Sequence, residues 1–236
     1  MEVPMKYEII LFDVDDTLLD FNISEKEALN KAFLEFEIST GLTKEYHDGY
    51  REISNGLWRD LEQGSITLAE LGTERFKRLF LKHDIKINAE MFNRAYLGYL
   101  GKEVHLMHGA EEVCTALNDY RLAIITNGFK EVQISRIENS PLSEMFECLI
   151  ISEEAGFQKP KKEIFDYAFS KLQITNKDKV LIVGDSLTSD IRGGMNYGID
   201  TCWFNPYHKE NNTDTSPTYE ISELIELINI LSPQHY

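Results

Sequence analysis

Four short polar clusters in this sequence contain residue types that are able to carry out acid–base and nucleophilic chemistry. In chain order they are Asp13-Val-Asp-Asp-Thr17, Thr126-Asn-Gly128, Gln158-Lys-Pro160 and Gly184-Asp-Ser-Leu-Thr-Ser-Asp190. Asp13 and Asp15 are two residues apart, so both side chains point the same way in an extended segment. Such a carboxylate pair can divide its roles, because mutual repulsion raises one pKa and leaves one ionised nucleophile and one protonated general acid.

Taken one at a time, the clusters have ordinary structural explanations. An acidic turn after a strand is commonly no more than a solvated turn. Asp185 and Asp190 fit a turn followed by the first turn of a helix, where the helix dipole favours acidic residues. Thr126-Asn-Gly128 is a common turn sequence, and Lys159-Pro160 is typical of a surface loop in which proline opens a helix.

In combination, the clusters predict a site with a bound cation. Asp13, Asp15 and Asp185 at one point would concentrate negative charge, which a cation must offset. Hard oxygen ligands suit Mg²⁺, which takes a substrate phosphate oxygen to complete its coordination, and Mn²⁺ is a substitute. Lys159 would add a second positive charge beside the metal.

The residues after the second apolar run are suited to holding anionic oxygens. We expect the Thr126 hydroxyl, the backbone N–H groups of Asn127 and Gly128, and a helix N-terminus to surround these oxygens. Together with the cation and Lys159, these donors select a phosphoryl group.

The sequence also predicts the scaffold that must bring the clusters together. Short, continuously apolar runs occupy residues 8–12, 122–125, 148–151, 180–183 and 201–204. Such runs are typical of a parallel sheet covered by helices on both faces, and helical stretches such as 160–172 and 188–197 supply the crossovers. We therefore predict an α/β fold with a doubly wound, Rossmann-like parallel sheet. Ligands bind beyond the carboxyl ends of such strands, where all four clusters fall.

The interval between the first two strands is too long for a simple crossover, and it lacks strand signals. It predicts an inserted all-helical subdomain over residues 20–100, with residues 1–19 and 101–236 forming the core. Ser24-Glu-Lys-Glu27 is predicted to be a capping box, and further helices are expected over 44–61, 67–83 and 89–99. Residues 205–217 are predicted to be a loop, and 220–231 a closing amphipathic helix.

Composition narrows the classes of partner. The 236 residues contain 24 Lys and Arg against 40 Asp and Glu, and this net charge of −16 argues against nucleic-acid polymers. No apolar run approaches the ~20 residues of a membrane helix. Cys114, Cys148 and Cys202 are odd in number and far apart, which argues against a disulfide framework and favours the cytoplasm. We expect a monomer or small homo-oligomer.

In their order and spacing, the four clusters resemble the four motifs of the haloacid dehalogenase (HAD) superfamily. The helical insertion after the first motif resembles the C1-type cap of that superfamily. The run from Gly184 to Pro206 and the later Pro217-Thr-Tyr-Glu-Ile are similar to the YjjG/YfnB-like subgroup, whose characterised members are nucleoside 5′-monophosphatases with a pyrimidine preference. Lys161-Lys162 departs from the pattern, because many relatives have an acidic residue and a second proline there.

The resemblance implies a role for each site residue. Asp13 is the nucleophile that forms an aspartyl phosphate, and Asp15 protonates the leaving group and then activates water. Mg²⁺ is held by the Asp13 carboxylate, the Asp15 backbone carbonyl and Asp185. Lys159 belongs to the catalytic set and, like Thr126, Asn127 and Gly128, binds phosphate; Thr17 fixes the turn, and Asp190 orients Lys159 or metal-bound water.

A helical cap over the crevice restricts the substrate to a small phosphorylated metabolite, and the subgroup implies a nucleoside monophosphate. Six cap aromatics are candidates for stacking on a base, although packing in the cap core is the commoner role: Phe21, Tyr46, Tyr50, Trp58, Phe76 and Phe92. Phe21 and Asn22 follow the nucleophile most closely.

Other functions are compatible with parts of this pattern. A phosphoglycolate or sugar-phosphate phosphatase and a sugar-phosphate mutase use the same motifs and cap type. The dehalogenase branch lacks an acid at the position of Asp15. A phospho-acceptor signalling domain is about half this length and has no lid, and the intact acid and nucleophile argue against a non-catalytic nucleotide-binding scaffold.

Overall fold

A computed structural model describes residues 5–38 and 43–232 of the chain. Over these residues, six strands form one parallel sheet: β1 Ile9–Phe12, β2 Arg121–Thr126, β3 Cys148–Ile151, β4 Val180–Gly184, β5 Asp200–Phe204 and β6 Tyr219–Ile221. The strand order is β3-β2-β1-β4-β5-β6. Since β1 lies between β2 and β4, the loops that follow these three strands meet at the middle of one edge.

Alternation along β1 shows that both faces of the sheet are covered. Ile10 and Phe12 pack into one hydrophobic cluster, and Ile9 and Leu11 pack into another on the opposite face. All four side chains are buried. The predicted doubly wound α/β class is therefore confirmed, and its cause is the continuous apolar character of the strands.

Ten helices accompany the sheet in the described part of the chain: α1 Phe21–Glu35, α2 Thr43–Glu62, α3 Leu68–Lys82, α4 Ala89–Leu100, α5 Ala110–Ala116, α6 Lys130–Glu138, α7 Ser152–Ala155, α8 Lys162–Lys171, α9 Arg192–Tyr197 and α10 Glu226–Leu231. A π-helical turn, Leu187–Ile191, precedes α9. None of the described helices is long and apolar enough to cross a membrane.

Helices α1 to α4 follow one another without an intervening strand and share an aromatic-rich core. Phe33, Tyr50, Phe76 and Phe92 are buried in this core. The helix α3 begins with a complete capping box between Thr67 and Glu70. Residues 39–42 of the predicted insertion, and residues 1–4 and 233–236 of the predicted core, lie outside the described residues.

The predicted capping box at Ser24 is wrong. Helix α1 begins one turn earlier, because the Asp20 carboxylate accepts a hydrogen bond from the Ile23 backbone N–H at 2.9 Å. Ser24 lies inside the helix, where its buried hydroxyl donates to the Asp20 carbonyl at 2.7 Å. Asp20, one turn before Ser24, therefore caps the helix, and the prediction did not consider it.

The predicted helix over 220–231 is also wrong in its first half. Residues Tyr219–Ile221 form β6, which pairs with Cys202–Phe204 of β5, and the helix spans only Glu226–Leu231. Ile221, Leu224 and Leu231 are buried and would lie on one face of a continuous helix, so the spacing of apolar residues fits a helix as well as a strand followed by a helix. Residues 219–221 form a strand because they pair with the edge of β5, which would otherwise have no partner strand on that side.

Candidate active site

Lys159 lies at the centre of the site and is 1% exposed. Its Nζ atom donates to Asp13 Oδ1 at 2.6 Å, to Asp190 Oδ1 at 2.6 Å and to the Ile125 carbonyl at 2.7 Å. Burial alone would lower the pKa of the Lys159 ammonium, but the two carboxylates outweigh it and raise that pKa above its ordinary value. Lys159 is therefore a permanently charged bridge between the loops after β1, β3 and β4.

Asp13 directly follows β1, and its backbone N–H donates to the Val183 carbonyl at 2.9 Å. Burial raises the pKa of the Asp13 carboxyl to about 7; the charge of Lys159 opposes this rise, and Asp190 and Asp15 add to it. The carboxylate is thus held close to other acids in a site with little water, where a cation would be strongly favoured.

Carboxylate oxygens of Asp13, Asp185 and Asp190 lie within 4.8 Å of one another. Both oxygens of Asp190 already accept hydrogen bonds, from Lys159 and from the Ser186 backbone N–H at 3.0 Å. Burial, and then the charges of Asp190 and Asp13, raise the pKa of Asp185 well above its ordinary value. A hard divalent cation fits between Asp13 and Asp185, because these oxygens are its preferred ligands and their mutual repulsion needs a counter-charge.

Asp15 contacts two side chains that the sequence reasoning missed. Gln133 Nε2 donates to Asp15 Oδ2 at 2.8 Å, and the Arg136 guanidinium donates to Asp15 Oδ1. Both belong to α6, where Val132 and Ile137 are the buried apolar residues. Polar residues at core-facing positions of a helix are the signal that could have identified them.

Arg136 connects Asp15 to both segments that join the sheet to helices α1–α4. Its guanidinium donates to the Ser24 hydroxyl at 3.3 Å and to the Glu103 carbonyl at 3.2 Å, and it lies 5.8 Å from the centre of the Phe21 ring. The side chain is fully buried. Its position is therefore set by the sheet, by the first turn of α1 and by the chain after α4.

Asp16 also links the site to α1. Its Oδ1 atom accepts hydrogen bonds from the Phe21 backbone N–H at 3.0 Å and from Asn22 Nδ2 at 3.1 Å. Burial, and then the charge of Asp15, raise the pKa of Asp16 to about 6. The sequence analysis assigned no role to Asp16. Asp15 and Asp16 are residues of the same type, and only their hydrogen-bond partners in the structure distinguish them.

The residues predicted to bind phosphate are held by their neighbours. The Thr126 hydroxyl accepts a hydrogen bond from Gln133 Nε2 at 3.0 Å. The Asn127 amide brackets the Lys159 backbone, accepting from its N–H at 2.7 Å and donating to its carbonyl at 2.8 Å. A Cβ atom at Gly128 would lie 2.6 Å from Gln133 Nε2, so any larger residue there would displace the Gln133 side chain from Asp15 and Thr126.

The turn after β1 and the turn after β4 are joined by Thr17. Its hydroxyl accepts a hydrogen bond from the Asp185 backbone N–H at 3.1 Å. Thr17 is fully buried. The catalytic, phosphate-binding, metal and supporting roles of these residues remain predictions, but the structure brings all of the predicted residues to one edge of the sheet.

A cavity of about 390 Å³ opens above these loops, and helix α2 contributes part of its wall. The lining includes Asp13 and Asp15 together with Phe21 and Trp58. The other aromatic candidates for stacking on a base are buried in the core of α1–α4: Tyr46, Tyr50, Phe76 and Phe92. Gln158 Nε2 donates to the Leu61 carbonyl at 2.5 Å, which joins the C-terminal turns of α2 to the Lys159 loop.

The family of haloacid dehalogenase-like hydrolases matches residues 10–204, which include the sheet from β1 to β5 and the loops just described. The chain belongs to this hydrolase family. The predicted resemblance to the HAD superfamily is thereby confirmed.

Relatives within the HAD-like hydrolases place the chain more closely. It is 37% identical over 229 residues to pyrimidine 5′-nucleotidase PynA of Streptococcus pneumoniae, covering 96% of both chains. It is 35% identical to pyrimidine 5′-nucleotidase YjjG of Escherichia coli, over 96% of this chain and 99% of that one. The crystal structure of HAD-hydrolase YfnB of Bacillus subtilis bound to magnesium superposes with a TM-score of 0.90 at 39% identity, covering 96% of this chain and 99% of that one. The predicted similarity to the YjjG/YfnB-like subgroup is confirmed.

Proposed function

We propose that this chain is a Mg²⁺-dependent phosphomonoesterase that hydrolyses nucleoside 5′-monophosphates, with a preference for pyrimidines, to nucleoside and phosphate. The observation that carries the proposal is the buried Lys159 bridge between Asp13 and Asp190, with Asp15 facing the same cavity. The pyrimidine 5′-nucleotidase relatives support the choice of substrate.

The first chemical step transfers the phosphoryl group to the enzyme. The Asp13 carboxylate attacks phosphorus, and its new O–P bond forms as the bond from phosphorus to the 5′ oxygen breaks. Asp15 gives its proton to the departing 5′ oxygen, which leaves as the nucleoside hydroxyl. Lys159 stabilises negative charge on the transferring oxygens, together with Thr126 and the backbone N–H groups of Asn127 and Gly128.

The second step returns the enzyme to its starting state. Asp15, now ionised, takes a proton from a water molecule, and that water attacks the phosphorus of the aspartyl phosphate. The bond between phosphorus and Asp13 breaks, releasing inorganic phosphate. Gln133 and Arg136 both donate hydrogen bonds to the Asp15 carboxylate, and they hold it in the orientation that this step needs.

The Asp13 carboxylate, the Asp15 backbone carbonyl and Asp185 would hold the metal ion. When bound, Mg²⁺ screens the repulsion between the anionic nucleophile and the dianionic phosphate. The magnesium-bound relative supports this choice, and we propose that Mn²⁺ can substitute, because oxygen ligands accept both ions. Asp190 is assigned to orienting Lys159, with which it shares a 2.6 Å hydrogen bond.

We further propose that residues 20–100 act as a cap over a core of residues 1–19 and 101–236. Helix α2 lines the cavity and contacts the Lys159 loop, which supports a lid that admits small metabolites and keeps polymers out. The free cysteines Cys114, Cys148 and Cys202 support a reducing cytoplasm. We expect a monomer or small homo-oligomer.

The test is phosphate release with Mg²⁺ from dUMP, dTMP, UMP, AMP, phosphoglycolate and glucose 6-phosphate, with Asp13→Asn protein as the blank. We expect the pyrimidine nucleotides to be preferred and activity to disappear when the metal is chelated. Preference for phosphoglycolate or glucose 6-phosphate would contradict the substrate and keep the chemistry. No release from any substrate by folded, metal-loaded protein would contradict the phosphatase itself.

A further inference from the structure

Helix α2 presents one side to the cavity. Asn55, Trp58, Arg59 and Glu62 all line it, and their spacing of three, four and seven residues places them on one face of the helix. These side chains share the cavity with Asp13, so a substrate whose phosphoryl group reaches Asp13 has its remaining part within reach of this face. The side chains on this face of α2 should therefore be complementary to the part of the substrate that lies beyond the phosphoryl group.

Trp58 offers an aromatic surface that is already held in place. Its side chain is half-buried and packs against the small cluster of Leu57, Leu61 and Leu71, yet it also lines the cavity. Support from the cluster restricts the indole, so little side-chain entropy is lost when a ring stacks on it. Phe21 also lines the cavity, but the Arg136 guanidinium already lies near its ring.

Asn55 lies one helical turn before Trp58 and is exposed. Its side-chain amide has an acceptor oxygen and a donor nitrogen side by side. The edge of a pyrimidine presents the same adjacent pair, a donor beside an acceptor, with the order reversed between uracil and cytosine. Rotation of the amide by half a turn exchanges its oxygen and nitrogen, so one asparagine can match either base.

We propose that Trp58 and Asn55 form the base-recognition surface of this enzyme, with the indole stacked on the pyrimidine ring and the amide hydrogen-bonded to its edge. This rests on the proposed nucleotidase function and names the residues that select its substrate. Base–aromatic stacking predicts a loss of roughly ten- to hundredfold in kcat/KM for a nucleotide when the indole is removed. A phosphate ester without a base should lose almost nothing.

The experiment compares kcat/KM for UMP and for ribose 5-phosphate, which share the sugar phosphate and differ by the base. We expect Trp58→Leu to lower the UMP value roughly ten- to hundredfold and to leave ribose 5-phosphate within about twofold. Asn55→Ala should lower the UMP value selectively as well. Tyr99→Leu removes a partly exposed aromatic from α4 that does not line this cavity, and it is the matched control.

The outcomes separate the inference from the function on which it rests. If wild-type protein prefers UMP but Trp58→Leu lowers both substrates equally, or lowers neither, the assignment of Trp58 is wrong and the nucleotidase function stands. If wild-type protein has equal kcat/KM for ribose 5-phosphate and for UMP, the assignment of Trp58 and the proposed nucleotidase function are both wrong.

A binding measurement gives the same answer without turnover. The chain has two tryptophans, and Trp203 is buried, with its indole N–H donating to the Asp185 carbonyl at 2.9 Å. We expect uridine to quench the fluorescence of wild-type protein and to leave that of Trp58→Phe protein unchanged. Equal quenching of the two proteins would overturn the assignment, and the conservative replacement keeps the cluster around residue 58 filled.

Discussion

Two fully buried arginines, one beside the sheet and one among helices α1–α4, have very different surroundings. Arg136 donates to the Asp15 carboxylate, which faces the cavity. Arg75, in α3, donates to the Tyr50 hydroxyl at 3.0 Å and to Asn93 Oδ1 at 2.9 Å, and its guanidinium lies 4.8 Å from the centre of the Tyr96 ring. The first cation is paired with the Asp15 carboxylate. The second donates its hydrogen bonds to neutral groups and lies against aromatic faces, and its charge acts on the buried Glu25 carboxyl.

The difference assigns separate tasks to the two regions. Near the sheet, buried charges hold one another in place, so moving one of them displaces a group of the proposed chemistry. Among helices α1–α4, the buried charge of Arg75 joins aromatic helices. Its guanidinium lies 5.6 Å from the centre of the Phe129 ring, but its hydrogen bonds go to Gly72, Tyr50 and Asn93. Variants at the sheet should therefore lose activity while remaining folded, and variants in the core of α1–α4 should lose stability while keeping the activity of the folded fraction.

The largest effect is expected at the nucleophile. Asp13→Asn should lower turnover of UMP by at least about 10⁴-fold, because no covalent intermediate can form. The thermal midpoint should remain close to that of wild type, since the amide keeps the shape of the side chain and one acceptor for Lys159. Residual turnover within tenfold of wild type would show that Asp13 is not the nucleophile.

A smaller loss of activity is expected at Arg136. Arg136→Gln should lower kcat for UMP by about 10²-fold, because Asp15 loses one of its two side-chain donors and is no longer held in position. Single-turnover release of p-nitrophenol from its phosphate should fall much less, because that leaving group needs no proton.

Arg121→Gln is the matched control for Arg136. Arg121 forms an exposed pair with Glu147, with Nη2 and Oε1 2.6 Å apart, and its loss should change neither rate. Partial recovery in Arg136→Lys would support positioning by charge. Equal losses for UMP and for the aryl phosphate would mean that Arg136 acts on something other than the orientation of Asp15.

For Arg75, in the core of helices α1–α4, we expect a loss of stability. Arg75→Ala should lower the free energy of unfolding by about 3 kcal/mol, because it leaves polar groups of Tyr50, Asn93 and Gly72 without their buried donor. Denaturant titration measures this value. Arg78→Ala, which removes an exposed pair with Glu74, should change it by less than about 0.5 kcal/mol. If Arg75→Ala lost much of its kcat at unchanged stability, the assignment of Arg75 to stability and of Arg136 to activity would be wrong.

The smallest effect concerns Glu25, a buried acid of α1. Burial raises the pKa of Glu25 to about 7 from an ordinary value of 4.5, although the charges of Arg75 and Arg51 oppose the rise. Between pH 4.5 and 7, the folded state then binds more protons than the unfolded state. Stability should therefore fall as pH rises across this interval, by an amount of the order of 2 kcal/mol.

Glu25→Gln should reduce that pH dependence, leaving the part contributed by the raised pKa values of Asp13, Asp16 and Asp185, and it should be more stable than wild type at pH 8. Denaturation midpoints at pH 5 and pH 8 measure both effects. Glu45→Gln, at an exposed position of α2, is the control and should retain the wild-type slope. An equal change in stability between pH 5 and pH 8 in wild-type and Glu25→Gln protein would contradict the raised pKa of Glu25.

The sheet and its polar loops could be predicted because their signals are local. Strands β1 to β5 are short apolar runs. Three of the polar clusters begin at the end of a strand or directly after it, and the Lys159 cluster follows β3 after the short helix α7. The start of α1 and the strand β6 could not be assigned in the same way. Asp20 and Ser24 are both residue types that can cap a helix and lie one turn apart, and the apolar residues of 220–231 fit either a helix or a strand followed by a helix. The packing of neighbouring elements decides both cases.

Local spacing by itself determined which residues follow the strands, and a parallel sheet then brings Asp13, Thr126, Lys159 and Asp185 to one edge. Only the tertiary structure decided which side chain holds each of them. Arg136 lies 121 residues from Asp15. Trp58 lines the cavity, whereas Phe76 and Phe92 are buried in the core of α1–α4. Such pairings depend on how helices pack across the molecule, because a buried charge must find its partner among groups that are distant in the chain.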